Sequence, residues 1–250
     1  MANVFAAWWN PDSGRTFRPR HGHRPGTAQF RLHQAAERTL GSGVSLREAV
    51  SLPPGEDANE WIAMKTVDLY NEIGLVYSMI AEYCTESCCT VMSAGSKYEY
   101  LWADGAMYKT PTKVPAPKYV ELLFGWVEAQ LDDERIFPTQ PGSPFPPDFL
   151  ERVQNIFKRL FRVYAHIFYA HFERVVEHTF DSHLNSCFKH FMYFVLEFAL
   201  VREEELRPLK PLMDRFLEED DTKWGPRKST STAAGTDGSG AHPGVAVTGA

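Results

Sequence analysis

The sequence of 250 residues has few cysteines and no long run of apolar residues. Its four cysteines are too few to cross-link a secreted protein of this size, and three of them lie within residues 84–89. No segment approaches the ~18 to 20 apolar residues that span a bilayer, and residues 1–10 lack the basic start and long apolar stretch of a secretory signal. We therefore expect a cytoplasmic protein without membrane insertion, with the nucleus as a second location.

Positive charge is also scarce. The chain has 26 lysines and arginines against 32 aspartates and glutamates, which gives a formal net charge of -6. This balance argues against a protein that binds nucleic acid mainly through phosphate contacts. The apolar fraction of 44% and the aromatic fraction of 13% exclude a fully disordered chain, and the length suits one large domain or two small ones.

Common catalytic motifs are missing as well. Gly41-Ser-Gly43 lacks the lysine of a phosphate-binding loop and follows a helix rather than a strand, and His171-Phe-Glu173 lacks the second histidine of a zinc hydrolase motif. Cys187 lies near His183 and His190 and is a conceivable nucleophile with a base. Its place among phenylalanines on an amphipathic helix favours a core residue instead.

Composition divides the chain into three parts. Residues 15–25 hold four arginines and no acid, which predicts a flexible basic N-terminal arm over residues 1–27. Residues 226–250 are almost all small or polar, with no aromatic side chain, which predicts a disordered tail over residues 225–250. A single folded domain is therefore expected over residues 28–224.

Apolar residues recur at helical spacing through this domain. Asp57 followed by Glu60 indicates a capping box at the start of the second helix. Aromatic and polar residues alternate from Ser93 to Pro117 around Asp104-Gly105, which predicts a β-hairpin. The whole pattern predicts an all-α helical bundle with this one hairpin. The predicted helices cover residues 30–40, 57–83, 119–131, 148–178, 183–200 and 208–217.

Cysteines and histidines recur on two helices in a pattern that suits a metal site. Cys84 and Cys89 lie at the end of the second helix, and His166 and His171 lie on the longest one. Thiolate and imidazole are the ligands that zinc prefers, and four of them complete a tetrahedral site. Histidines five residues apart are separated by about 140° around an ideal helix, so they share one ion only if the helix is distorted. From spacing alone, buried free cysteines and core histidines are the stronger alternative.

Three cations form a cluster on the same long helix. Lys158, Arg159 and Arg162 lie within two turns, and Arg152 is on the same face. Guanidinium groups on a rigid element suit a phosphate or a phosphorylated residue. The alternative is a solvated basic face, which the pattern by itself favours.

Acidic residues gather along the second helix, where five carboxylates face only Lys65 between residues 56 and 72. They are Glu56, Asp57, Glu60, Asp68 and Glu72. An exposed Trp61 ringed by these carboxylates is typical of a docking surface for a basic partner helix. In the alternative, which composition slightly favours, Asp57 and Glu60 cap the helix, Trp61 joins the core and the other acids are solvated.

Several short strings resemble the Mob/phocein family. They are Asn-Glu-Trp-Ile-Ala (59–63), Cys-Thr-Glu (84–86), Val-Met-Ser-Ala-Gly (91–95), Lys-Tyr-Glu-Tyr (97–100), Trp-Ala-Asp-Gly (102–105), Lys-Arg-Leu-Phe-Arg-Val-Tyr-Ala-His (158–166) and Phe-Lys-His-Phe (188–191). The resemblance runs from about Thr16 to about Leu217 and is closest to the branch that activates NDR/LATS-type protein kinases. It implies an all-α helical bundle with a four-helix core, flanking helices, a structural zinc and no enzymatic activity.

The resemblance also implies roles for particular residues. The zinc ligands would be Cys84, Cys89, His166 and His171. The phosphothreonine pocket would be Lys158, Arg159 and Arg162. The kinase-docking surface would be Glu56, Glu60, Trp61 and Asp68, and the regulatory phosphorylation sites would be Thr16 and Thr39. Two residues depart from the family pattern, since Cys88 replaces a small residue and Thr90 a proline, so Cys88 could compete as a ligand or oxidise if it is exposed.

The function implied by the resemblance is that of an adaptor and co-activator in Hippo-type signalling. It would bind the N-terminal regulatory region of NDR/LATS-type Ser/Thr kinases and dock phosphothreonine segments of an upstream Ste20-like kinase. Phosphorylation of Thr16 would add negative charge among four arginines and detach an arm that covers the acidic surface. Two alternatives are a phocein-like scaffold of a kinase/phosphatase assembly and a zinc-dependent enzyme, which would need one of the four ligands to be absent.

Overall fold

The computed structural model describes residues 45–140 and 142–225, and nearly all of the regular structure in these ranges is helical. The helices are α1 (Leu46–Val50), α2 (Ala58–Ser78), α3 (Ala116–Leu131), α4 (Phe149–His166), α5 (Phe172–Glu177), α6 (Asp181–Glu197), α7 (Glu203–Leu206) and α8 (Lys210–Trp224). A π-helical turn (Ile167–His171) joins α4 to α5, and a 3-10 turn (Arg207–Leu209) joins α7 to α8. The prediction of an all-α fold is confirmed.

Aromatic side chains fill the centre of the bundle between α4 and α6. Phe157 of α4 packs against Phe191 and Phe194 of α6, with ring centroids 5.5 Å apart in both pairs. Two turns further along α4, Tyr164 packs against Phe188 and Phe191, with ring centroids 5.2 and 5.1 Å apart. The other long helix of this core, α2, packs on both α4 and α6. The broad apolar stripes in the sequence are therefore the faces that meet in the core.

The start of α2 follows from its capping residue. Asp57 accepts hydrogen bonds from the backbone amides of Asn59 and Glu60 at 2.8 and 3.0 Å, which satisfies two donors that a helix N-terminus leaves free. The helix ends at Ser78 instead of continuing to residue 83, and a series of turns carries the chain on to Cys84. This early end frees the cysteine segment from helical geometry.

The predicted β-hairpin is not confirmed as a regular element. The chain does reverse at Asp104-Gly105, and Trp102 and Thr112 exchange two backbone hydrogen bonds of 2.9 and 2.8 Å. In the described part of the chain, however, the pairing is limited to isolated antiparallel bridges at Trp102–Thr112 and Ser93–Glu99. The next facing pair would be Tyr100 and Val114, but both bond to Met92 instead: the amide of Tyr100 donates to the carbonyl of Met92 at 2.8 Å, and the amide of Met92 donates to the carbonyl of Val114 at 3.1 Å, so the ladder does not continue.

Several predictions lie outside the described residues. The basic arm over residues 1–27, the helix over residues 30–40 and residues 226–250 of the tail all fall there, together with Thr16 and Thr39. The division into arm, domain and tail therefore stays a prediction. Among the helices that the structure describes, none is long and apolar enough to cross a membrane.

Candidate metal centre and flanking charged surfaces

The four predicted metal ligands come together in one buried cluster. One donor atom from each of Cys84, Cys89, His166 and His171 lies within 4.8 Å of all the others. The Cys84 sulfur is 3.5 Å from Nε2 of His166, and the Cys89 sulfur is 3.4 Å from Nε2 of His171. Two sulfurs and two imidazole nitrogens at such spacing could bind a metal ion.

The π-helical turn resolves the angular problem that the histidine spacing posed. A π turn closes hydrogen bonds between residues i and i+5, so it takes up one more residue than an α turn. His166 ends α4 and His171 ends the π turn, and their ring centroids lie only 5.1 Å apart. The helix over residues 148–178 is thus interrupted at the place where the two ligands must converge.

The cysteines are delivered by the turns that follow α2. The amide of Cys84 donates to the carbonyl of Ile80 at 3.0 Å, and the amide of Cys89 donates to the carbonyl of Thr85 at 2.9 Å. The carbonyl of Cys89 in turn accepts from the amide of Ala116 at 2.9 Å, which fixes the segment to the start of α3. A metal ion here would join the end of α2 to the junction of α4 and α5.

Neighbouring groups orient the ligands. Nδ1 of His166 lies 2.8 Å from the carbonyl oxygen of Ser93, and because a carbonyl can only accept, Nδ1 carries the hydrogen. This leaves the lone pair of Nε2 facing Cys84, the arrangement in which a histidine ligates a metal.

Tyr169 of the π turn packs on Gly95, whose φ of 73° and close approach leave no room for a side chain.

The chemistry of the donor set fits a divalent metal. Burial lowers the pKa of His166, and burial followed by repulsion from His166 lowers the pKa of His171 to about 4, so both rings are neutral at pH 7. Burial also raises the pKa of the Cys84 and Cys89 thiols. A bound cation reverses that preference, because its charge stabilises the thiolates.

Cys88 is exposed and stands apart from the four converging residues. Its thiol donates to the carbonyl of Tyr83 at 3.0 Å, and its sulfur lies 3.4 Å from that of Cys89. The other cysteine, Cys187, is fully buried, and burial followed by the charge of Glu72 raises its pKa. The interpretation of Cys187 as a core residue is confirmed.

The basic cluster (Lys158, Arg159 and Arg162) is partly buried, which contradicts the alternative of a solvated basic face. The Arg159 guanidinium lies between Trp102 and Trp126, 4.6 and 4.5 Å from their ring centroids, and its Nη2 donates to the carbonyl of Ala103 at 2.7 Å. These contacts anchor Arg159 in the fold. Arg152, by contrast, pairs with Asp148 at 2.7 Å on the exposed surface.

The guanidinium of Arg162 is held over the ring of Tyr100, 5.0 Å from its centroid. Its Nη1 donates to the hydroxyl of Tyr119 at 3.1 Å, and its Nη2 is 3.5 Å from Glu205. Within the described part of the chain, buried donors of this cluster have no hydrogen-bond partner. They are Nε and Nη1 of Arg159, Nε of Arg162 and the hydroxyl of Tyr100. Unsatisfied buried donors are costly, so this region suits an anionic ligand.

Positive charge is concentrated at the cluster. Burial lowers the pKa of Lys158, and repulsion from Arg162 adds to the effect, while the carboxylate of Glu205 opposes it. Glu205, Tyr100 and Tyr119 were not identified from the sequence. Glu205 is 43 residues from Arg162 in the chain, and no periodic pattern links two such positions.

The acidic surface on α2 differs from its prediction in one respect. Trp61 is only 1% exposed and its indole donates to the carbonyl of Val50 at 3.0 Å, so the prediction of an exposed tryptophan is wrong. Glu56 and Glu60 are half-buried at the start of the helix, and Asp68 is half-buried near its middle. Burial, followed by the charge of Asp57, raises the pKa of Glu60.

A buried lysine lies beneath this acidic surface. Lys65 is fully buried, with its ammonium 5.0 Å from the ring centroid of Trp61 and 3.9 Å from the carboxylate of Asp68. Glu72, the last acid of the series, pairs with His190 of α6 at 2.9 Å. Glu72 is thereby tied to the bundle core. The acidic residues that remain for the surface are Glu56, Glu60 and Asp68.

Comparison with known proteins gives one consistent result. The sequence model of the Mob1/phocein family matches residues 37–209 of this chain. The chain is 54% identical over 208 residues to MOB kinase activator-like 1 homolog B of Dictyostelium discoideum, which covers 83% of this chain and 96% of that protein. It is 52% identical over 203 residues to MOB kinase activator-like 1B of Arabidopsis thaliana, with 81% and 94% covered. It is 48% identical over 217 residues to human MOB kinase activator 3A, with 86% and 99% covered.

Proposed function

The chain belongs to the Mob1/phocein family, and from that premise we propose that it is a non-catalytic adaptor and co-activator of NDR/LATS-type Ser/Thr kinases. The observation that carries the proposal is the separation of charge on one rigid bundle. The half-buried carboxylates of Glu56, Glu60 and Asp68 lie just before α2 and along its first half. The half-buried cations of the basic cluster, some with unsatisfied donors, lie on α4. Two such surfaces can hold two partners of opposite charge at once.

The kinase-docking surface is formed by Glu56, Glu60 and Asp68, and it would receive the basic N-terminal regulatory helices of the kinase. Trp61 has a different role from the one first expected. Because its indole is bonded to Val50 and its side chain is buried, it anchors α1 against α2 beneath the surface. Partial burial also makes these carboxylates more effective, since charge interactions are screened less there than in open solvent.

The phosphothreonine pocket is formed by Lys158, Arg159 and Arg162, and its ligand would be a phosphorylated segment of an upstream Ste20-like kinase. Arg162 and Lys158 would contact the phosphate, because Arg159 is anchored by Trp102, Trp126 and Ala103. A phosphate offers three acceptor oxygens and up to two negative charges, which suits the two cations and the unsatisfied Nε of Arg162.

The metal at Cys84, Cys89, His166 and His171 would be zinc in a structural role. Four protein ligands close a tetrahedral site and leave no position for a reactive water, so the set suits stability and not catalysis. Within the chain, the carbonyl of Ser93 orients His166 and the π turn carries His171 into place. When bound, the ion supplies the positive charge that stabilises both thiolates.

Activation follows from holding two proteins together. Simultaneous docking raises the effective concentration of the kinase near its activator, and docking also favours whichever kinase conformation binds the acidic surface better. Phosphorylation of Thr16 would expose that surface by changing the charge of the preceding arm, and Thr39 would be a second regulatory site. The protein would act in the cytoplasm and the nucleus as part of Hippo-type signalling.

Binding of two peptides tests the separation of the two surfaces. One is a phosphothreonine peptide, and the other is a basic helical peptide from the N-terminal region of an NDR/LATS-type kinase. Lys158→Glu should weaken only the first complex, and Glu60→Lys only the second. Lys158 is preferred to Arg159 because Arg159 also supports the fold. Loss of both complexes in either variant, or of neither, would contradict separate surfaces.

A further inference from the structure

One carboxylate lies between two arginines at the basic cluster. Oε2 of Glu205 is 3.5 Å from Nη2 of Arg162, and Oε1 of the same side chain is 3.7 Å from Nη2 of Arg202. The Arg162 side chain is only 16% exposed, whereas that of Arg202 is 73% exposed. Glu205 therefore bridges a sheltered guanidinium and one at the surface.

The position of Glu205 is set by α7 and by Arg162 itself. The amide of Glu205 donates to the carbonyl of Arg202 at 3.0 Å in the first turn of α7. On the other side, the hydroxyl of Tyr119 accepts from Arg162 at 3.1 Å and holds the guanidinium in place. The carboxylate of Glu205 thus meets a fixed guanidinium edge, as an anionic ligand of the pocket would.

We propose that Glu205 is a built-in competitor of the phosphothreonine ligand, which holds Arg162 in the free protein and passes to Arg202 when a phosphorylated segment binds. The inference rests on the proposed phosphothreonine pocket and adds a mode of regulation to it. Arg202 matters because it already contacts the second oxygen of Glu205. Displacement therefore leaves the carboxylate paired rather than isolated.

The balance favours phosphate over carboxylate. At 3.5 and 3.7 Å the two contacts of Glu205 are long for ion pairs, so each is weak. A phosphate brings about twice the charge and more acceptor oxygens. A carboxylate of another protein offers Arg162 only the single charge that Glu205 already provides. Replacing Glu205 by that carboxylate therefore gains little binding free energy. The pocket is thereby kept from binding unphosphorylated acidic segments.

Titration of a fluorescent phosphothreonine peptide at physiological ionic strength tests this competition. Glu205→Gln keeps the shape of the side chain but removes its charge, and it should tighten binding about three- to tenfold, as expected for loss of one partly exposed competing charge. Glu204→Gln is the matched control. Glu204 is adjacent and also pairs with Arg202, at 3.7 Å, but the structure gives it no contact with Arg162. Its affinity should stay within about twofold of the unchanged protein.

The transfer to Arg202 has its own variant. Arg202→Gln as a single change should weaken peptide binding, because Glu205 is then left with Arg162 as its only partner of the two arginines. The same change added to Glu205→Gln should have no effect on peptide affinity. Equal weakening in both backgrounds would overturn the transfer. Weaker or unchanged binding by Glu205→Gln alone would overturn the competition. If neither the unchanged protein nor Glu205→Gln binds the peptide, the phosphothreonine pocket itself is wrong.

Discussion

At the scale of single residues, the candidate metal centre depends on groups that do not themselves bind the metal. The carbonyl of Ser93 fixes the tautomer of His166, and Gly95 makes room for Tyr169 beside His171. These groups hold the ligands in place before any ion is bound. Preorganised ligands lose less conformational freedom on binding, and groups that hydrogen-bond to metal ligands raise metal affinity.

Replacing one ligand should release the metal. We expect Cys84→Ser to lose bound zinc and to reduce the free energy of unfolding by about 4 kcal/mol or more, the range seen when a structural metal is lost. His166→Ala should behave in the same way. Cys88→Ser tests whether Cys88 competes as a ligand, since its sulfur lies 3.4 Å from that of Cys89 although it is not among the four converging residues, and we expect this variant to keep one zinc per chain. Elemental analysis and denaturant unfolding give the two readouts, and one zinc per chain in both ligand variants would refute the assignment.

Gly95 should not tolerate a side chain. Its φ of 73° is strained for other residues, and an added Cβ would lie 3.0 Å from Cε1 of Tyr169. We expect Gly95→Ala to lower the free energy of unfolding by about 1 to 3 kcal/mol. Gly125 offers the opposite case, since it is helical with open space around its Cα, and Gly125→Ala should stabilise by about 0.5 to 1 kcal/mol. Equal effects in chemical denaturation would contradict this view of Gly95.

At the scale of elements, the parts predicted well were those with a regular apolar period. Helix α3 was expected over residues 119–131 and begins three residues earlier, at Ala116. The π turn was not identified, because residues 148–178 were interpreted as one continuous helix. The sequence held one signal for the π turn, which was the five-residue spacing of His166 and His171. That spacing implied a distorted helix only if both histidines bind one ion.

The N-terminal cap of α2 is a further element-scale feature that can be tested. Asp57 satisfies two backbone amides of a helix that also carries the acidic surface. Asp57→Ala should lower the free energy of unfolding by about 1 kcal/mol, and Asp57→Asn should recover most of it because an amide oxygen also caps. Thermal unfolding of the three proteins checks this. An equal loss in both variants would mean that charge, and not capping, is the contribution of Asp57.

At the scale of the whole molecule, a net charge of -6 conceals two surfaces of opposite sign. The sequence predicted which residues form each surface but not how deeply they are buried. Trp61 was expected to be exposed because acids surround it in the sequence, yet it is buried and its indole donates to the carbonyl of Val50. Arg159 was grouped with its neighbours by spacing, yet two distant tryptophans enclose it. Burial depends on contacts between segments far apart in the chain, which a local pattern does not contain.

The activity of a purified NDR/LATS-type kinase, measured with and without this protein, tests the central claim most directly. We expect the protein to stimulate phosphorylation of a substrate peptide, and the double variant Glu56→Lys with Glu60→Lys to lose the effect because it repels the basic kinase helices. Glu121→Lys on α3, an exposed charge reversal, should stimulate normally. An unchanged protein without effect on the kinase, or a double variant that is equally active, would contradict the account.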